Sequence, residues 1–141
     1  MDRMACVDVF ALPLQLLLRD HPEWADRPVA VVDRDTAQGV LLQVNEAARA
    51  RRILPGMKAN AARALDHELR AATVADARIT GAREEIVATL RVFSPGVEPS
   101  DEEPGVFWLD ASGLDRLHPS LERWARSIVD ELARRQLHAR V

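Results

Sequence analysis

The residues best suited to chemistry in this chain are carboxylates in two distant segments. Asp8 lies inside the apolar segment MACVDVF, and Asp101, Glu102 and Glu103 form an acidic run much later in the sequence. A carboxylate among apolar residues is costly unless a cation or hydrogen-bond donors satisfy it. Phosphoryl transfer by two metal ions needs several carboxylates around ions that lie about 3.5–4 Å apart. The acids suit that reaction only if the fold brings the two segments together.

Each of these acids also has an ordinary structural explanation. Asp8 can end a strand with its carboxylate satisfied by backbone groups or water. The run at 101–103 is followed by Pro104 and Gly105, a combination that is typical of a solvated turn. The four histidines do not have the spacing of a metal site, and Cys6, inside a strand, is expected to be an inert core thiol.

Charge is separated along the chain, although the net charge is only −3. Residues 92–115 hold six acids and no base, whereas residues 49–63 hold no acid and five bases: Arg49, Arg51, Arg52, Lys58 and Arg63. This separation is typical of a protein with one face that meets phosphate, and the first four of these bases are candidate contacts for DNA or nucleotide. Two solvated faces of opposite charge would give the same pattern.

Composition limits the class of protein. A chain of 141 residues, 48% of them hydrophobic, is long enough for one globular domain with a core. The single cysteine excludes an internal disulfide and a cysteine-rich zinc site, which fits a reducing cytoplasm. No segment is typical of a signal peptide or of a membrane span, so we expect no contact with a membrane.

Hydrophobic periodicity predicts the elements that must position the candidate residues. Strands are expected at 4–10, 29–33, 39–44 and 106–110, and helices at 13–21, 45–52, 57–65, 78–93 and 119–136. Residues 66–77 show no clear pattern, residues 138–141 open another strand, and the segment from Ser94 to Gly113 reads as a strand, a turn and a strand. This order predicts an α+β fold with helices against one face of a sheet.

Three segments together resemble the Y-family (UmuC/DinB-like) translesion DNA polymerases. VDVFALPLQLLLRDHP is similar to the family pattern V-D-x-D-x-F-F-A-x-V-E-x-x-x-x-P, and RPVAV with GVLLQVNEAARARRILPGM is similar to P-V-A-V … G-V-V-x-x-x-S-Y-E-A-R-x-x-G-V-x-x-G-M. SPGVEPSDEEPGVFWLDASG is similar to S-P-x-V-E-x-x-S-x-D-E-x-x-L-D-x-T-G. The resemblance implies a palm formed by residues 1–23 and 78–141, with a small inserted fingers subdomain formed by residues 24–77.

The resemblance assigns roles by position and also shows departures from the family. Asp8 falls on the first catalytic Asp, and Arg49 falls on an Arg that binds the incoming triphosphate. Pro13 replaces the aromatic residue that excludes ribonucleotides, and Arg52 replaces a Gly. Glu46 replaces a Tyr that contacts the triphosphate, and a carboxylate at that position is repulsive.

The family's metal-binding D-E pair has no counterpart in the third segment. Counted forward from Glu98, the pair falls on the Glu-Pro dipeptide at 103–104. Counted backward from Asp110, which is structural in the family, the pair falls on the Gly-Val dipeptide at 105–106. The two counts differ by two residues, and neither gives two adjacent acids.

These departures favour a catalytically inactive member of the family, most like the ImuB branch, that acts as a scaffold or adaptor in DNA damage tolerance and induced mutagenesis. On this hypothesis the chain is an N-terminal fragment, Asp8 is a remnant, and neither a catalytic residue nor a metal is expected. The resemblance implies a cytoplasmic, nucleoid-associated protein. The partners that the resemblance implies are DNA, the sliding clamp, a DnaE2-type polymerase and a RecA-like accessory protein. Most of these contacts would be made by regions outside this fragment.

Two alternatives stay open. The first is an active translesion DNA polymerase in which Asp8 and one of Asp101, Glu102 and Glu103 hold Mg²⁺. The second is a binding module with no role on DNA.

Overall fold

Five helices and six strands are interspersed along the part of the chain that the computed structural model describes, residues 3–113 and 120–141. The strands are β1 (Met4–Asp8), β2 (Val29–Val32), β3 (Leu41–Val44), β4 (Arg70–Ala72), β5 (Val97–Pro99) and β6 (Val106–Asp110). The helices are α1 (Leu12–Asp20), α2 (Glu46–Ala50), α3 (Ala59–Leu65), α4 (Asp76–Leu90) and α5 (Leu121–Arg134), and Pro22–Trp24 forms a 3-10 turn. The predicted α+β fold is therefore confirmed.

The chain divides into two compact units. Unit 1 comprises the described residues of 1–12 and 79–141, and unit 2 comprises residues 13–78. Each unit has its own three-stranded sheet, with the strand order β1-β6-β5 in unit 1 and β3-β2-β4 in unit 2.

The unit 1 sheet is antiparallel and buries one of its faces. β6 lies in the centre and pairs with both β1 and β5. Alternate residues point to opposite faces of a strand, so Val7, Phe107 and Leu109 lie on one face, where all three are fully buried. The buried residues of α4 and α5 recur at helical spacing, so each of these helices also buries one face: Ala82, Ile86 and Leu90 on α4, and Trp124, Ile128 and Leu132 on α5.

Unit 2 has a separate core built around β2, whose four residues are all buried. β2 pairs antiparallel with β3 and parallel with β4. Asn45 is the N-cap of α2: its Oδ1 accepts hydrogen bonds from the backbone N–H groups of Ala48 and Val29 at 3.0 Å. Its Nδ2 donates to the carbonyl of Arg27 at 2.8 Å, so one side chain joins the start of α2 to the start of β2.

The structure corrects several predicted boundaries. β1 ends at Asp8 and not at Phe10, because the chain turns at Ala11, which has a positive φ of 48°. α5 begins at Leu121 with Ser120 as its N-cap, and Pro119, where the predicted helix began, lies outside the described residues. The strand expected at 138–141 is wrong for the described chain, since only Arg140 pairs there, through an isolated bridge to Asp8.

Candidate functional site

Asp8 lies at the end of β1, where its carboxylate pairs with a protein cation. Its Oδ2 accepts a hydrogen bond from Nη2 of Arg140 at 2.8 Å. The two backbones are also paired. The N–H of Asp8 donates to the carbonyl of Arg140 at 2.8 Å, and the N–H of Arg140 donates to the carbonyl of Asp8 at 2.9 Å. The guanidinium of Arg140 also lies 5.3 Å from the centre of the Phe10 ring. A side chain from the far end of the chain therefore satisfies this acid.

The register of the sheet shows which residue lies opposite Asp8. Asp8 pairs with Val106, so the side chain across the sheet from this carboxylate is apolar. Next to it, the carbonyl of Gly105 accepts a hydrogen bond from the N–H of Val9 at 2.7 Å. Of the two positions that sequence counting gives for the D-E pair, residues 105–106 are the ones beside the end of β1, and Gly and Val occupy them.

The acidic loop that follows β5 is exposed and held by two anchors. Asp101, Glu102 and Glu103 are all exposed. Oγ of Ser100 accepts hydrogen bonds from the N–H groups of Glu102 and Glu103 at 3.2 Å, and Nη2 of Arg83, on α4, donates to the carbonyl of Ser100 at 2.5 Å. Neither Arg83 nor Ser100 was singled out from the sequence. Their contact fixes the loop to the helix and leaves its carboxylates in solvent.

The loop acids and Asp8 border the same surface cavity. This cavity has a volume of about 660 Å³ and is lined by residues of β1, β5, β6 and the acidic loop: Cys6, Asp8, Glu98, Pro99, Ser100, Asp101, Glu102, Glu103, Val106 and Trp108. The structure therefore brings the two acidic segments to one side of unit 1, as the active-enzyme alternative requires.

The carboxylates on this cavity nevertheless do not fit the two-metal site that the resemblance implies. The Asp8 carboxylate is engaged by Arg140, and Val106 stands where a second strand-borne carboxylate is needed. Within residues 3–113 and 120–141, no three side chains of His, Cys, Asp or Glu lie together in an arrangement that could hold a metal ion.

The pKa of the Cys6 thiol is shifted by the same acidic surroundings. Burial raises the pKa of its thiol, and the negative charges of Asp8 and Glu103 raise it further. The side chain is half-buried, and not fully buried as a core thiol would be. Because its pKa is raised, the thiol stays protonated near neutral pH, as expected of an inert cysteine.

Asp110 has the structural role that the resemblance implies. Its Oδ1 accepts a hydrogen bond from the backbone N–H of Ser112 at 2.8 Å, and hydrogen bonds from Ser112 hold the pKa of the Asp110 carboxyl below its usual range. The hydroxyl of Ser94 donates to the carbonyl of Asp110 at 2.6 Å. These bonds fasten the end of β6 to the start of the hairpin that contains β5.

All four candidate phosphate contacts are exposed, but one of them is already engaged by other groups of the protein. Arg49 and Arg52 lie at the end of α2, and Lys58 precedes α3; all three are exposed. Nε of Arg51 forms an ion pair with the carboxylate of Asp66, and its Nη1 donates to a backbone carbonyl one turn earlier at 2.9 Å. The guanidinium of Arg51 is thus already paired within unit 2, while the charges of Arg49, Arg52 and Lys58 face solvent.

Arg52 occupies a backbone conformation that favours glycine. Its φ is 63°, in the left-handed region, where the Y-family pattern has Gly. The N–H of Arg52 donates to the carbonyl of Arg49, and the N–H of Ile53 donates to the carbonyl of Ala48, which together end α2. The left-handed turn explains the family's glycine, and this chain keeps the turn and adds a positive charge to it.

No helix in the described part of the chain is both long enough and apolar enough to cross a membrane.

Comparison with solved structures identifies the fold. The chain is similar to a post-insertion binary complex of Dbh DNA polymerase, with a TM-score of 0.80 and 17% identity, over 99% of this chain and 40% of that one. It is similar to an insertion ternary complex of Dbh DNA polymerase, with a TM-score of 0.78 and 18% identity, over 99% of this chain and 41% of that one. DinB from Sulfolobus solfataricus matches with a TM-score of 0.77 and 17% identity, over 99% and 40% of the two chains.

At these identities the likeness is one of fold, and the chain spans about two fifths of the length of those polymerases. No curated protein sequence matches the chain. The sequence pattern of the impB/mucB/samB family, in contrast, matches residues 7–141. Since that match covers nearly the whole sequence and the fold is that of a Y-family polymerase palm with fingers, this chain belongs to the impB/mucB/samB family of Y-family polymerase-like proteins.

Proposed function

We propose that this chain is a catalytically inactive, ImuB-like member of its family that acts as a scaffold or adaptor in DNA damage tolerance and induced mutagenesis. One observation carries the proposal: the carboxylate at the position of the first catalytic Asp is paired with Arg140 and faces Val106 across the sheet. The proposed partners are DNA, a sliding clamp, a DnaE2-type polymerase and a RecA-like accessory protein.

The proposal includes an assignment of subdomains. Residues 1–23 and 78–141 form the palm, and residues 24–77 form the fingers. The compact units divide the chain after residues 12 and 78, so the two divisions differ on residues 13–23 and on residue 78.

Electrostatics explains why the Arg140 pair opposes metal binding. A guanidinium and a divalent cation compete for the same carboxylate oxygens, so a metal must first displace Arg140 from Asp8. Displacing Arg140 therefore breaks an ion pair at a partly desolvated carboxylate, because the Asp8 side chain is only 30% exposed, while the freed guanidinium stays in solvent. Without a carboxylate at position 106, the metal gains too few ligands to offset this loss.

The alternative, an active Mg²⁺-dependent translesion DNA polymerase, is favoured by one observation. Asp8 and all three loop acids line the same cavity, and a loop that folded inward could supply ligands from Asp101, Glu102 or Glu103. Mn²⁺ binding distinguishes the scaffold from the active polymerase, because it measures directly whether the carboxylate of Asp8 binds a metal ion.

Mn²⁺ titrations followed by electron paramagnetic resonance should show no binding that depends on Asp8 up to about 1 mM metal, the weak end of protein cation sites. Wild type and Asp8→Asn should therefore give the same curve. Asp130→Asn, an exposed acid on α5, is the matched control for the lost charge. The double variant Val106→Asp with Arg140→Gln is the positive control, since it places a carboxylate opposite Asp8 and removes the competing cation.

Tighter Mn²⁺ binding by wild type that Asp8→Asn abolishes would support the active enzyme. Mg²⁺-dependent extension of a primed template, lost in Asp8→Asn, would overturn the scaffold function outright.

We propose that the exposed bases of unit 2 supply the contact with DNA. Replacing Arg49, Arg52 and Lys58 together by glutamine should lower the affinity for a fluorescent duplex and reduce the slope of log K against log salt by about 2 to 3, since each phosphate contact contributes about 0.9. The matched control replaces three exposed bases of unit 1 by glutamine: Arg91, Arg123 and Arg126. Equal losses in the two triple variants would contradict this assignment and leave only a general effect of charge.

A further inference from the structure

The outward face of the unit 1 sheet presents apolar side chains to solvent. Cys6, Trp108 and Glu98 form a row across the three strands, because Cys6 pairs with Trp108 and Trp108 pairs with Glu98. Met4 and Val106 lie on the same side, since each lies two residues along a strand from a member of this row. Trp108 is 42% exposed and Met4 is 53% exposed. We call this surface the open face.

Acids surround the open face. The larger cavity on it is lined by five carboxylates and, among the described residues, by no basic side chain: Asp8, Glu98, Asp101, Glu102 and Glu103. A second cavity of about 330 Å³ shares Glu98 and Trp108 with the first and adds Met4 and Asp110 to the lining. Trp108 and Glu98 therefore lie where the two cavities meet.

This combination selects a class of ligand. Nucleic acid is disfavoured, because its phosphates would meet five acids and, beside Asp8, only the Arg140 guanidinium that is already paired with that acid. An indole beside a carboxylate instead matches arginine, whose guanidinium stacks on aromatic faces and hydrogen-bonds carboxylates with both of its edges. Side chains directly opposite each other on neighbouring antiparallel strands have Cβ atoms about 4.5–5.5 Å apart, so one guanidinium can reach both Trp108 and Glu98.

We propose that the open face is a docking site for a basic, arginine-containing segment of a partner protein, with Trp108 and Glu98 at its centre. The acids of the 101–103 loop attract the segment, and the exposed apolar area around Met4 and Val106 receives its aliphatic side chains. This assignment rests on the proposed function, because it takes the face that an active polymerase uses for its metals to be a surface for protein contact.

A fluorescein-labelled octapeptide of alternating arginine and leucine is the probe. Its fluorescence anisotropy should report saturable binding to the wild-type chain, and Trp108→Ser and Glu98→Gln should each weaken that binding by about tenfold, the effect of losing one central interface contact. Replacing the arginines of the peptide by citrulline should weaken it at least as much. Glu98→Gln alters an exposed polar side chain only, so it tests the site even if Trp108→Ser perturbs folding.

Two control variants match the chemistry of the test at other places in unit 1. Val92→Ser removes an exposed apolar side chain, and Asp130→Asn removes an exposed acid. Both should bind the peptide as wild type does. Because Trp108→Ser leaves the charge unchanged, a selective loss in that variant separates docking from general attraction of a basic peptide to an acidic protein.

Three outcomes overturn the inference: no binding of the peptide to wild type, equal binding to wild type and Trp108→Ser, or binding of a single-stranded DNA oligonucleotide that depends on Trp108. The Mn²⁺ titration keeps this result separate from the proposed function. If the peptide does not bind and Mn²⁺ binding does not depend on Asp8, only the docking site is contradicted. If Mn²⁺ binding does depend on Asp8, the scaffold function itself is contradicted.

Discussion

Replacing Gly105 with alanine should destabilise the chain by about 3 kcal/mol, the upper end for overpacking a well-packed site. Gly105 is buried beside the end of β1, and a Cβ built on it would lie 2.0 Å from the carbonyl oxygen of Val9 and 3.0 Å from its carbonyl carbon. Both clashing atoms are backbone, so no rotamer change relieves the contact. Moving the strands apart would break the hydrogen bond from the N–H of Val9 to the carbonyl of Gly105, which measures 2.7 Å.

Urea denaturation followed by circular dichroism measures this change as a loss in the free energy of unfolding. Gly81→Ala is the matched control within unit 1, because Gly81 lies in α4 and a Cβ added there would meet no atom within 4 Å beyond the helix's own backbone. That variant should be more stable than wild type by about 0.5–1 kcal/mol, since alanine favours the helix interior. If Gly105→Ala were as stable as wild type, the close approach of the loop to β1 would be wrong.

Replacing Trp124 with alanine should cost about 3–5 kcal/mol, the range for deleting a large buried aromatic side chain. Trp124 is 2% exposed, and its Nε1 donates a hydrogen bond to the carbonyl of Phe93 at 3.0 Å. The indole thus packs α5 into the core and also ties it to the segment after α4. Because α5 leads through the buried Leu137 to Arg140, the same change should loosen the ion pair with Asp8.

Trp124→Phe separates the two contributions of this indole. Phenylalanine keeps most of the buried ring but cannot donate to the carbonyl of Phe93, so it should cost about 1–3 kcal/mol. Thermal melts and urea titrations of the two variants give the comparison. Equal losses for Trp124→Ala and Trp124→Phe would mean that the hydrogen bond, and not the buried ring, accounts for the effect of this residue.

The sequence predicted the α+β order, the hairpin and α5 correctly because each depends on a local pattern. The apolar residues of α5 recur at helical spacing, and β6 is a short apolar run, Val-Phe-Trp-Leu, whose side chains are alternately buried and more exposed. β4 was missed because its sequence, Arg-Ala-Ala, has neither alternation nor branched side chains. It becomes a strand through parallel pairing with β2, which is a tertiary contact.

The candidate site was less predictable because it depends on register and on distant pairing. Counting from Glu98 and from Asp110 gave positions two residues apart, and only the pairing of Asp8 with Val106 identifies the position beside the acid. Arg140 lies 132 residues from Asp8, so no local pattern could reveal that the two side chains meet. The family, in contrast, follows from short motifs spread along the chain, and the family pattern matches residues 7–141.

The pairing of β1 with β6 sets the order in which the chain can fold. Met4 pairs with Asp110, and unit 2 lies as one continuous segment between the two strands in the sequence. During synthesis, unit 2 is complete well before β6 emerges from the ribosome, so it can fold while β1 still has no partner. Closing such a long loop is slow, and the apolar β1 stays exposed meanwhile. The chain is therefore most vulnerable to aggregation in the interval before β1 pairs with β6.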